Sequence, residues 1–191
     1  MSHGALLDAA VAAQAACDAA SLPNCIIGGI ALQRWGEPRF TADVDLSVLV
    51  EAGKESQAIS ALLARLPARV EDAAALAARA RVVLAQTGTG VGVDIVLAGL
   101  AYEARAIERA SFWDIGGGAR LRTCSAEDLL VMKSFAGRDK DWADVTGILE
   151  RQGPRLDLEM VRRELAPLVA AKEEPDLMAQ LERRIAAHLR P

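Results

Sequence analysis

Residues 43–50, Asp-Val-Asp-Leu-Ser-Val-Leu-Val, place Val44, Leu46, Val48 and Val50 on one side and Asp43, Asp45, Ser47 and Leu49 on the other. That period of two is the pattern of a strand with one face against a core, and it commits the chain to a β-sheet. The same pattern puts two carboxylates on one face at the N-terminal end of the strand, about 7 Å apart. Charge removed from water is costly unless it is paired, so this end of the strand calls for a counter-ion or for solvent.

The chain before this strand reads as an Ala/Leu/Val-rich helix over residues 5–20 and a short apolar strand, Cys25–Ile27. Gly28-Gly29 closes that strand, and a short helix over Ile30–Trp35 is stopped by Gly36 and Pro38. After it come an amphipathic helix over 54–66 and a helix-like stretch over 70–80. A strand pair, 81–86 and 91–97, follows around Thr87-Gly88-Thr89-Gly90 as a hairpin. Residues 101–110 read as helix, and Phe112–Thr123 as two short strands around Gly116-Gly117-Gly118. Ser125-Ala-Glu-Asp128 has the form of a capping box, with Asp in place of the usual Glu, and opens a helical final third. The order, α/β first and helices afterwards, predicts an α/β (α+β) fold with a mixed sheet flanked by helices. We divide it into an α/β domain, residues 1–124, and a helical region, 125–191, and expect a nucleotide-sized cleft between them.

Composition narrows the chemistry. Three cysteines, Cys17, Cys25 and Cys124, have no C-x-x-C spacing, which speaks for buried thiols over a disulfide framework or a zinc site. Two histidines, His3 and His188, lie near the ends, so carboxylates, Lys, Arg or hydroxyls must carry any reaction. A net charge of -4 excludes a protein that coats nucleic acid through bulk positive charge. Apolar runs are too short to span a bilayer and the N-terminus lacks a signal-peptide pattern, which predicts a cytoplasmic protein without a membrane partner.

A third carboxylate, Asp94, stands in the apolar strand Gly92-Val-Asp-Ile-Val96. Its bland reading is an ion pair with an arginine such as Arg81 across the hairpin. That of Asp43 and Asp45 is a solvated strand edge. If the two strands are neighbours, however, three carboxylates converge, and a divalent ion holds such a cluster ionised. Oxygen-only ligands favour Mg²⁺ or Mn²⁺. Two such ions can clamp an in-line displacement at phosphorus, and a glycine turn at a helix start offers backbone N–H groups to phosphate. Arg39 and Thr41, just ahead of the strand, read equally as phosphate contacts or strand caps. Lys133, Arg138 and Lys140 read as a ligand set or as a solvated helix face, and Trp35, Trp113 and Trp142 as packing residues.

Gly28-Gly29, Asp43-Val44-Asp45 after a spacer of thirteen residues, and Asp94 in a later strand together resemble the nucleotidyltransferase superfamily typified by DNA polymerase beta. Within it, GGIALQRWGEPRFTADVDLSV and KSFAGRDKDWADVTGIL are most similar to the AbiEii/AbiGii type IV toxin group. The resemblance implies an NTP substrate, Mg²⁺ or Mn²⁺, transfer of an NMP group to a hydroxyl of tRNA or protein, and a cognate antitoxin. It implies that Gly28 and Gly29 hold the triphosphate and that Asp43 and Asp45 bind metal. Asp94 would join them at the metal and take the acceptor proton, and Lys133 would contact phosphate. Ile30 departs from the pattern, standing where many members carry a hydroxyl. An aminoglycoside-type nucleotidyltransferase and a catalytically idle module of the same fold are the alternatives.

Overall fold

The computed structural model describes residues 3–189 and divides into two compact units, Met1–Ala31 with Phe40–Cys124, and Leu32–Arg39 with Ser125–Pro191. The first holds β1 (Asn24–Ile26), β2 (Val44–Leu49), β3 (Val82–Gln86), β4 (Gly92–Ala98), β5 (Ser111–Gly116) and β6 (Ala119–Thr123). These form one mixed sheet in the order β3-β4-β2-β1-β6-β5. β1 runs antiparallel to β2 and parallel to β6, and the β3–β4 and β5–β6 pairs are hairpins. β2 and β4 are parallel neighbours, which no short connection could make.

Val44, Leu46 and Val48 of β2 enter the core together with Val93, Ile95 and Leu97 of β4. Against them pack Leu6, Ala9, Ala13 and Cys17 of α1 (His3–Ala19) and Ala58, Ile59 and Leu62 of α3 (Glu55–Leu63). Each fully buried Val or Leu is worth roughly 1.5–3 kcal/mol. A one-residue slip of β2 would expose three of them and drive Asp43 and Asp45 into the core, so the register is pinned from both faces. Two further helices, α4 (Ala73–Ala80) and α5 (Ala101–Glu108), complete this unit. Burial pushes the Cys17 thiol up to about 12, which leaves it protonated and inert.

α2 (Gly28–Trp35) starts two residues earlier than the sequence pattern predicts, with the glycines in its first turn; Leu32 onward belongs to the second unit. That unit also holds α6 (Ala126–Ala136), α7 (Asp139–Gln152), α8 (Leu158–Lys172) and α9 (Asp176–His188). Ser125 caps α6, its Oγ accepting from the Asp128 N–H and donating to the Asp128 carboxylate. The carbonyls at the end of α2, which have no partner in their own helix, are met from α7. Arg151 donates to Gln33 and Gly36, and Gln152 to Trp35. Among the described residues no helix is long and apolar enough to cross a membrane.

Candidate active site

The parallel register of β2 and β4 sets Asp45 directly beside Asp94. Side chains of paired residues in neighbouring strands share a face, and Asp43 lies on that same face two residues before Asp45. Six of the residues singled out in the sequence therefore gather at one end of the sheet: Gly28, Gly29, Thr41, Asp43, Asp45 and Asp94. The glycines have a steric cause. Gly28 sits at φ +62°, and a Cβ there would lie 2.1 Å from Asp45 Oδ2. A Cβ on Gly29 would lie 2.7 Å from the Thr41 side chain, whose Oγ1 donates to the Asp43 carbonyl at 3.4 Å. The glycine pair is thus the floor on which Asp45 and Thr41 rest. Ile30, in the hydroxyl position, is fully buried in the core.

The first intrahelical bond of α2 is from the Ala31 N–H to the Ile27 carbonyl, so the N–H groups of Gly28, Gly29 and Ile30 precede the helix's own ladder. They form, beside the carboxylates, the kind of positive helix end that accepts phosphate.

Asp94 does have an arginine partner, but it is Arg69 and not Arg81. Arg69 Nη2 donates to Asp94 Oδ1 at 2.5 Å and Nη1 to Asp43 Oδ1 at 3.4 Å. Arg81 instead occupies the left-handed C-cap of α4 and turns to Glu55 and to the carbonyls of Leu97 and Ala98. Burial lifts the Asp94 carboxyl above the ordinary range; Arg69 opposes the rise, and the neighbouring Asp43 adds to it. Among the described residues no three carboxylates, thiols or imidazoles are drawn into a ready-made metal cage, and the Arg69 guanidinium spans Asp43 and Asp94. The donor set nonetheless fits a hard divalent ion, with carboxylate oxygens on adjacent strands and side-chain-free glycines behind Asp43 and Asp45.

Arg39 and Lys133 lie in the second unit, with their charged ends on carboxylates. Lys133 Nζ is 2.7 Å from Asp144 Oδ2 and 3.2 Å from Asp141 Oδ1. Arg39 grips Asp144 with two bonds of 2.8 and 2.9 Å, and Arg138 Nε donates to Asp141 at 2.5 Å. Asp141 and Asp144 thus form a buried ion cluster around Lys133. Arg69 and Gly92 escaped the sequence reading because nothing local marks them; only the β2–β4 pairing brings them to the acidic face.

A mixed sheet that carries Asp-x-Asp beside a third aspartate, over a helix that starts at Gly-Gly, defines a nucleotidyltransferase fold. Solved structures share it. An antigenic nucleotidyltransferase-like protein from Paracoccidioides brasiliensis superposes with TM-score 0.51 at 21% identity, over 92% of this chain and 91% of that one. The antibiotic-resistance factor ANT(2'')-Ia gives 0.52 at 20% identity, over 86% and 92%. No curated protein matches the sequence. The model of the nucleotidyl transferase AbiEii toxin family, type IV toxin–antitoxin system, matches residues 25–190, and the chain belongs to that family. It is a nucleotidyltransferase.

Gly28→Ala tests the floor of this site. The left-handed backbone alone costs about 1–2 kcal/mol with a Cβ. Displacing the Asp45 carboxylate by an ångström is expected to lower transfer by about 100-fold. Thermal melting and a transfer assay on the same preparation measure the two effects.

Proposed function

We propose that this chain moves an NMP group from an NTP to a hydroxyl on a macromolecule, tRNA first and protein second, and acts as a toxin restrained by a cognate antitoxin. One observation carries the reading: the register that sets Asp45 beside Asp94, with Gly28 packed under Asp45. The family match supports both the nucleotide donor and the toxin role.

The N–H groups of Gly28 and Gly29 hold phosphate oxygens of the donor, with Thr41 fixing the turn beside them. Asp43, Asp45 and Asp94 would hold Mg²⁺ or Mn²⁺, which neutralises triphosphate charge and makes the acceptor hydroxyl more acidic. Asp94 takes the acceptor proton. A bond then forms between the acceptor oxygen and the α-phosphorus, and the bond from that phosphorus to the β-phosphate bridge breaks, releasing pyrophosphate. In the second unit, Lys133 and Arg39 hold Asp141 and Asp144 in place.

Each α-labelled NTP is incubated with total tRNA, cell protein or aminoglycosides, with Mg²⁺ or Mn²⁺ present. The expected result is label on tRNA or protein that is lost with Asp94→Asn. Label on aminoglycosides alone would replace the macromolecular acceptor, and label on none of them would overturn transfer to these classes.

A further inference from the structure

Arg69 is placed with more care than a surface ion pair needs. Its backbone N–H donates to the Leu84 carbonyl at 3.0 Å, Gln86 N–H donates to Pro67 at 2.9 Å, and Ala68 bridges Ala85. Residues 67–69 thus add a short rung to the outer edge of β3 and fix the root of the arginine. From there the side chain crosses the acidic face, and its guanidinium makes its polar contacts with Asp94 and Asp43.

Gly92 makes the room. A Cβ at that position would lie 2.3 Å from Arg69 Nη1 and 2.4 Å from Asp43 Oδ1. Gly92 is not among the glycines with positive φ, so its backbone does not require glycine. A glycine inside a strand costs order and packing, and the return here is the slot for these two groups.

We propose that Arg69 is a built-in counter-cation that fills the gap between Asp43 and Asp94 in the metal-free protein and surrenders it when a divalent ion enters. The proposal rests on the metal-binding reading of the three aspartates. About a third of the Arg69 side chain is exposed. An ion pair in such a setting is screened by water and weak, so it can be exchanged; a fully buried pair could not open without stranding a charge. A hard cation offers the carboxylate oxygens more charge at shorter range than a guanidinium does. With its root pinned on β3, the released arginine stays at the rim of the site.

The test titrates Mn²⁺ into the full chain, followed by the loss of free-ion EPR signal and by melting, for wild type, Arg69→Met and Arg69→Lys. Arg69→Met is expected to bind Mn²⁺ about tenfold more tightly, because three carboxylates lose a competing charge. It should also melt lower than wild type without metal, a gap that closes at saturating Mn²⁺. Arg69→Lys, which keeps the charge without the fork, should fall between them. Equal or weaker Mn²⁺ binding by a folded Arg69→Met, with wild type binding normally, overturns the proposal alone. Absence of binding in wild type and both variants overturns the metal reading and this proposal with it. If Arg69→Met does not fold, the Arg69 side-chain Nε–H resonance of wild type decides. Movement on Mg²⁺ titration supports the exchange, and a fixed resonance overturns it.

Discussion

Asp94→Asn is expected to give a protein at least as stable as wild type at neutral pH, still able to bind nucleotide, and slower in transfer by about 10³-fold. Asn has nearly the same shape as Asp, so the β2–β4 register and the packing of Val93 and Ile95 remain. What is lost is the group that accepts a proton, and with it the charge that pairs with Arg69 and one carboxylate of the metal-holding set. The stability sign follows from the raised carboxyl. A carboxyl whose folded pKa exceeds its unfolded one makes folding costlier while it is ionised, and the cost is relieved as pH falls through the folded value. The amide removes that cost together with the repulsion from Asp43. Calorimetric melting and single-turnover transfer on one preparation check both halves. Full activity in Asp94→Asn would remove the aspartate from the chemistry and leave Asp43 and Asp45 to carry it.

That opposition of stability and activity shows what was legible in the sequence. The alternation in 43–50 commits residues 44, 46 and 48 to a core and therefore commits Asp43 and Asp45 to the other face. The glycine turns at 88–90 and 116–118 mark both hairpins. Asp94 could be singled out because a carboxylate among Val93, Ile95 and Val96 needs a reason. Its place beside Asp45 could not be read, since the two strands are separated by two helices and a hairpin strand, and local pattern carries no pairing information across that distance. The arginine partner shows the same limit. Arg81 is nearer to the hairpin in sequence, but its left-handed backbone at the end of α4 turns the side chain to Glu55. Arg69 comes from a stretch without periodicity and reaches Asp94 only through the rung on β3. For the glycine pair the residue type was visible and its cause was not, because the cause is the Asp45 carboxylate and the Thr41 side chain packed against it.

Lys133→Met decides between two roles for the residue that resemblance would place on nucleotide phosphate. The lysine side chain is 8% exposed, and the Asp141 and Asp144 side chains that hold it are 0% and 3% exposed. Met fills much the same volume, so the substitution removes the charge while keeping most of the packing. Asp141 is then left with Arg138, which is largely exposed, and Asp144 with Arg39. Removing one partner from a buried ion cluster strands charge, and a loss of about 3 kcal/mol is expected at pH 7. For a chain of this length that is a fall of roughly 9 °C in Tm. The pH dependence separates charge from packing. Burial pushes the Asp141 and Asp144 carboxyls up, but hydrogen bonds from Arg138 and Arg39 and the Lys133 ammonium more than reverse it and hold both below the usual carboxylate range. A carboxyl depressed on folding contributes stability above its unfolded pKa, about 3.9 for Asp, and loses it as pH falls through the lower folded value. In Lys133→Met the depression shrinks, so less stability is lost as pH falls below the unfolded value, and the urea midpoints of variant and wild type converge in acid. Packing damage would keep them apart at every pH. A variant as stable as wild type that no longer binds nucleotide would return Lys133 to the phosphates; a destabilised variant whose folded fraction binds nucleotide normally makes it the cation on which the second unit's buried carboxylates depend.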